Sequence, residues 1–125
     1  MILLLHTLIE GIVALLFLFY PGAGDLVPGF GTSEGRSFEM LMKMYGLAAA
    51  FLAALSLTTW FSRANRVLVL TVTGLLTFFH LGMTIVQAVY NDDSRAMLLH
   101  FLLMIFMGGV YVQERRKAWG EEKAR

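Results

Sequence analysis

Three histidines and one carboxylate stand out in a chain otherwise poor in charge. Glu10 lies inside the mostly apolar run Ile2 to Tyr20, with His6 four residues before it, so a helix stacks the two on one face. A lone ionised carboxylate in apolar surroundings is costly, so Glu10 needs a partner or must be held uncharged. His6 is the near partner in sequence, and His80 is a partner across a bundle. Ionisable groups at membrane depth mark functional sites by default. The plain alternative is a hydrogen bond from Glu10 to a neighbouring helix.

A second pattern surrounds His80. Thr73, Thr77, His80, Thr84, Gln87 and Asn91 recur every three or four residues, which puts them on one helical face, with Leu, Val and Phe mostly opposite. In lipid such a stripe faces protein or a hydrated cavity. Two readings stay open. The stripe serves helix–helix hydrogen bonds and threonine bonding to its own backbone, or it lines a wet, ligand-holding interior.

His100 completes the set. His80 lies fourteen residues after Arg66 and His100 fourteen before Glu114. At about 1.5 Å per residue both sit about 21 Å from that boundary. Counted from the Asn91 to Ser94 turn they are offset by about 6 Å at the same rise. A histidine pair across a bundle could hold haem or a metal, or relay protons. The face of Met97, His100, Met104 and Met107 would suit Cu(I). No spacing motif supports haem, and methionine is first a filler of irregular apolar gaps. No cofactor is predicted, and no metal site is assigned. With no cysteine in the chain, disulfides, thiolate ligands and thiol redox chemistry are excluded. There is also no Ser/His/Asp set, no phosphate loop and no zinc-ligand spacing.

The elements that must position these groups are apolar helices. Of 125 residues 58% are hydrophobic and 15% charged, against about 45–50% and about 25% in soluble domains. The apolar residues cluster in four stretches, about 2–20, 38–61, 66–90 and 95–113, each near the roughly 20 residues that cross a bilayer. The expected fold is all-α, a single four-helix transmembrane bundle. Met1 to Tyr20 is read as a retained helix, since it lacks a basic start and a small-residue cleavage site and carries Glu10. The loop 21–37 holds both prolines and is expected to be mostly irregular. Ser62 to Arg66 and Asn91 to Ser94 are tight polar turns, and Asp or Ser in the latter can cap the fourth helix. Gln113 to Arg125 is a short charged helix or is frayed. Lys43 can snorkel to the headgroups.

Orientation follows from the cations. Arg63, Arg66, Arg115, Arg116, Lys117, Lys123 and Arg125 share the side of the termini, against Arg36, Lys43 and Arg95 on the other. The positive-inside rule then places both termini in the cytoplasm, with Asp25, Glu34, Glu39, Asp92 and Asp93 outward. Gly46, Ala50 and Ala54 are small residues at spacing four that permit close helix approach, within the bundle or between copies in a homo-oligomer. Nothing suggests nucleic acid as a partner.

Leu15-Leu16-Phe17-Leu18-Phe19-Tyr20-Pro21 closes the first helix at a proline. A glycine-rich loop follows, then Met44-Tyr45-Gly46-Leu47-Ala48-Ala49-Ala50 and a third helix ending near His80-Leu81-Gly82. This pattern resembles the DoxX-like small four-helix bacterial membrane proteins and their relatives. The resemblance implies an inner-membrane bundle and a loose link to quinone-related redox systems, and it transfers no catalytic residues. A glutamate in the first of four helices also resembles the small multidrug-resistance transporters, although the aromatic–glycine–proline pattern of their third helix is absent.

The residues Glu10, His80, His100, His6, Thr77, Thr84 and Gln87 are thus the expected polar part of a site. The leading expectation is an apolar or amphiphilic ligand, lipid or quinone-like, held in the bundle. The alternatives are a proton-coupled carrier using Glu10, an acid–base enzyme on a lipid-soluble substrate, and a structural or assembly subunit of a membrane complex.

Overall fold

In a computed structural model of the chain, residues 1–30, 35–91 and 93–123 are described, the side chains of 121–123 excepted. Glu34, Asp92 and Arg125, counted above for orientation, lie outside the described residues. Five helices form: α1 Ile2–Phe19, α2 Ala23–Leu26, α3 Arg36–Phe61, α4 Arg66–Tyr90 and α5 Ser94–Lys123. Four of them, α1, α3, α4 and α5, are long and apolar enough to cross a membrane. The chain is a multi-pass helical membrane protein on that ground.

Two antiparallel hairpins make the bundle. In the first, His6 and Thr7 of α1 lie beside Ser56 and Ala53 of α3, while Phe17 and Leu18 lie beside Gly46. In the second, His80 of α4 meets His100 of α5, and Thr77 and Gly74 meet Gly108 and Tyr111. The hairpins meet backbone to backbone along α3–α4 and α1–α5, while side chains bridge the diagonal between α1 and α4, which run parallel: Leu3 packs with Val72 and Leu76, and His6 reaches His80. Both termini therefore emerge at one end, with the α1–α3 and α4–α5 connections at the other. Contacts are dense within each hairpin and sparse between them.

Burial is inverted relative to a water-soluble protein. His6, Glu10, Ser56, Thr59, Thr73, His80 and His100 are buried, while Leu8, Leu15, Phe51, Phe78 and Val89 are exposed. Water would reward the opposite arrangement, whereas lipid tails accept the apolar surface and drive the polar groups inward. Among the described residues no buried side-chain nitrogen or oxygen lacks a partner.

The element ends have local causes. Pro21 offers no N–H and restricts the residue before it, and Tyr20 is extended there. Asn65 caps α4, its side chain accepting from the Leu68 N–H. Asp93 precedes α5 and accepts from the Arg95 backbone N–H at 3.0 Å.

Two boundaries differ from expectation. The loop 21–37 gains the one-turn α2, and α3 starts at Arg36 rather than 38. The charged tail takes the helical of its two expected forms, continuing α5 through Lys123, sustained by the Lys117–Glu114 pair and by Arg115 over the Trp119 ring. Lys43 finds a partner inside the chain. Its Nζ donates to the Leu18 carbonyl at 2.7 Å, satisfying an orphan acceptor at the negative end of α1.

The loop folds back over the bundle end. Ala23, Phe17 and Met42 form a buried cluster with Val27, Phe30 and Tyr45 against it. The rings of Phe17, Phe30 and Tyr45 pack edge to face in a mutual triad. Gly29 is required at this closure: φ is 95°, and a Cβ there would lie 2.6 Å from Asn91 Nδ2.

Candidate functional site

The site is assembled from four helices, one polar group at a time. On α1 the spacing of four stacks His6 and Glu10, with His6 Nε2 3.7 Å from Glu10 Oε1. On α3 the inward face is Met42, Gly46, Ala49, Ala53, Ser56 and Thr59. Its small residues let α1 close in, and Ser56 Oγ then lies 2.7 Å from His6 Nδ1. On α4 the inward face, Val69, Val72, Thr73, Leu76 and His80, carries His80 to within 2.9 Å of His6, Nε2 to Nε2. On α5 His100 lies 3.0 Å from His80, Nδ1 to Nδ1. His6 and His80 meet edge to face, while His80 and His100 are tilted by 30°.

The result is a continuous line, Ser56–His6–His80–His100, crossing from one hairpin to the other. A neutral imidazole carries one N–H and one acceptor nitrogen, so three neutral rings satisfy all three contacts in either of two directions. In one, the Ser56 hydroxyl donates to His6 Nδ1, His6 Nε2–H donates to His80 Nε2, and His80 Nδ1–H donates to His100 Nδ1. In the other every ring is reversed, and His6 Nδ1–H donates to Ser56 Oγ. The network needs no net charge, and passing one proton along it converts one direction into the other. His6, Glu10 and His80 also bring three ligand atoms within 4.8 Å of one another.

Beside this line lies a cavity of about 30 Å³ at the seam between the hairpins. Glu10, Tyr45, Gln87 and His100 supply its polar wall. Ile9, Val13, Leu99 and Leu103 supply apolar wall from α1 and α5, and Val27, Pro28 and Phe30 of the loop close it. The space accommodates about two waters, since one needs roughly 10–15 Å³ measured this way. Toward the termini the line is sealed differently. There Leu3, Val72, Leu76 and Met107 pack with Ile2, Leu52, Leu55, Trp60 and Leu68.

The expected site residues separate into three groups. Glu10, His6, His80 and His100 converge. Gln87 joins the cavity wall and accepts from Asn91 Nδ2, which also donates to the Gly29 carbonyl at 3.1 Å. Thr77 and Thr84 do not join: their hydroxyls donate to the carbonyls of Thr73 and His80, each at 2.7 Å, within their own helix. Gly46 is spent inside the chain, since a Cβ there would come 3.0 Å from Leu18 and Phe17. Ala54 stays exposed. Two residues were not singled out by sequence, Ser56 and Tyr45. A signal for Ser56 existed, since it follows Ala53 by three residues on the same face and is polar in an apolar helix. Tyr45 offered none, because an aromatic near a helix end is first an interface anchor. No known protein family, curated protein or solved structure matches this chain.

Proposed function

We propose that this chain binds the polar end of an amphiphilic small molecule, lipid- or quinone-like, in the seam between its two hairpins. One observation carries the reading: Glu10 and His100, from different hairpins, line a single cavity whose other walls are mostly apolar. Small-molecule sites combine apolar walls with a few convergent polar groups in this way. The cavity admits only a small polar group, so the apolar remainder of the ligand lies along the seam, where the hairpins contact each other sparsely. Val27, Pro28 and Phe30 act as the cover.

The reading includes an orientation. The end that holds the termini is cytoplasmic and the membrane is the cell's inner membrane, supported by the excess of arginine and lysine at that end. The ligand then enters from the outer half of the bilayer.

Native mass spectrometry of protein extracted with its surrounding lipids tests the ligand reading. The expected result is a discrete adduct of small-molecule mass, depleted in Gln87→Leu and Tyr45→Phe. Wild-type protein that carries no adduct, and that no lipid or quinone analogue stabilises against heat, overturns it.

A further inference from the structure

The Nε2 atoms of His6 and His80 face each other at 2.9 Å, with Glu10 Oε1 3.7 Å from the first of them. Their outward nitrogens are both taken: Ser56 Oγ lies beside His6 Nδ1 and His100 Nδ1 beside His80 Nδ1. Metal-bound histidines show this arrangement, with the far ring N–H donating to an acceptor that fixes the tautomer while the near nitrogen binds the ion. Here both acceptors are in place. With His6 and His80 each protonated on Nδ1, two bare Nε2 lone pairs point at one another, and a cation between them removes that conflict.

We propose that His6 Nε2, His80 Nε2 and the Glu10 carboxylate form a binding site for a divalent transition-metal ion of borderline softness, such as zinc. Two imidazoles and a carboxylate suit such ions, whereas Cu(I) favours the sulfur ligands that this set lacks. The three ligand atoms lie within 4.8 Å of one another. Nitrogens bound at about 2.0–2.1 Å in a tetrahedral arrangement stand about 3.3 Å apart. The nitrogens therefore need to part by only a few tenths of an ångström as each ring turns its lone pair off the line between them toward the ion. All three residues are buried, so bulk water is kept from the ion. Glu10 also lines the cavity, which leaves the fourth coordination position facing it. Ser56 and His100 are positioning residues that hold the rings. The site goes beyond the amphiphile reading and stands without it.

The test uses the full chain in nanodiscs, stripped with a chelator and titrated with Co²⁺ as the spectroscopic probe. Expected are visible ligand-field bands that saturate at one ion per chain and vanish on adding Zn²⁺. His6→Gln and His80→Gln should remove them. Ser56→Ala should weaken binding by about 10–100-fold, the usual effect of losing such a partner. Gln87→Leu, which depletes the amphiphile adduct, should leave the cobalt spectrum unchanged, so the two readings fail separately. X-ray absorption of zinc-loaded wild-type protein needs no variant to fold, and it should show outer-shell scattering from two imidazoles. Folded wild-type protein with no cobalt bands, bands that survive both histidine substitutions, or a zinc shell without imidazole each overturns the proposal.

Discussion

At the scale of single residues, the serine at the end of the histidine line carries more than its size suggests. Ser56 is fully buried, and its Oγ lies 2.7 Å from His6 Nδ1. Ser56→Ala leaves a buried imidazole nitrogen without a partner, which costs about 1–3 kcal/mol. Thr84→Val removes a hydroxyl that merely doubles a bond to its own helix backbone, and the methyl that replaces it leaves no polar group without a partner. Unfolding in mixed micelles should therefore rank Ser56→Ala well below wild type and Thr84→Val close to it; equal losses would mean that the line contributes nothing beyond ordinary helix bonding. The sequence pattern could not rank these two hydroxyls. Both sit in apolar helices, and only the identity of the nearest acceptor separates them.

At the scale of elements, the loop between α1 and α3 and the turn before α5 do the closing. Gly29 holds the loop against α4 and α5 with a φ of 95°, and an added Cβ would strike Asn91 and Ala96. A non-glycine residue in such a region costs on the order of 1–3 kcal/mol. Gly29→Ala should thus undock residues 23–30 and speed their amide exchange, while α4 exchange is unchanged. If both segments keep wild-type rates, the glycine is not required. The adjoining turn has its own charge device. Arg95 donates to the Asp93 carboxylate from Nε and Nη2, each at 2.9 Å, and from its backbone N–H. These bonds hold the Asp93 carboxyl down at about 2, below the ordinary value of about 3.9. A depressed carboxylate contributes stability above its unfolded pKa and loses it as pH falls through the folded one. The melting temperatures of wild type and Asp93→Asn should therefore differ near neutral pH and converge as pH drops from about 4 to about 2. A gap that persists at the acid end would assign the effect to something other than this carboxylate.

At the scale of the whole molecule, the four long helices and most of their boundaries were legible because hydrophobic length and turn chemistry are local properties. The convergence of Glu10, His6, His80 and His100 was only partly legible. Counting back from Arg66 and Glu114 put His80 and His100 at one depth, as observed, but the rotation of each helix about its axis decides whether they touch. Packing sets that rotation through Gly46, Ala49 and Ala53 on α3, and through the close approaches at Gly74 and Gly108. The fold of the loop was illegible for a similar reason. Phe30 and Tyr45 meet Phe17 only once the hairpin is closed. Orientation in the bilayer remains an electrostatic matter, and the chain is well suited to a test because it contains no cysteine. Asp25 is exposed at the loop end, and Ala64 is exposed at the end with the termini. With the arginine-rich end in the cytoplasm, a membrane-impermeant maleimide added to intact spheroplasts should label Asp25→Cys and spare Ala64→Cys until the membrane is opened. The reverse pattern would place the termini outside. It would also turn the cavity beneath Val27, Pro28 and Phe30 toward the cytoplasm, so the same pair of labels fixes the half of the bilayer from which the seam is entered.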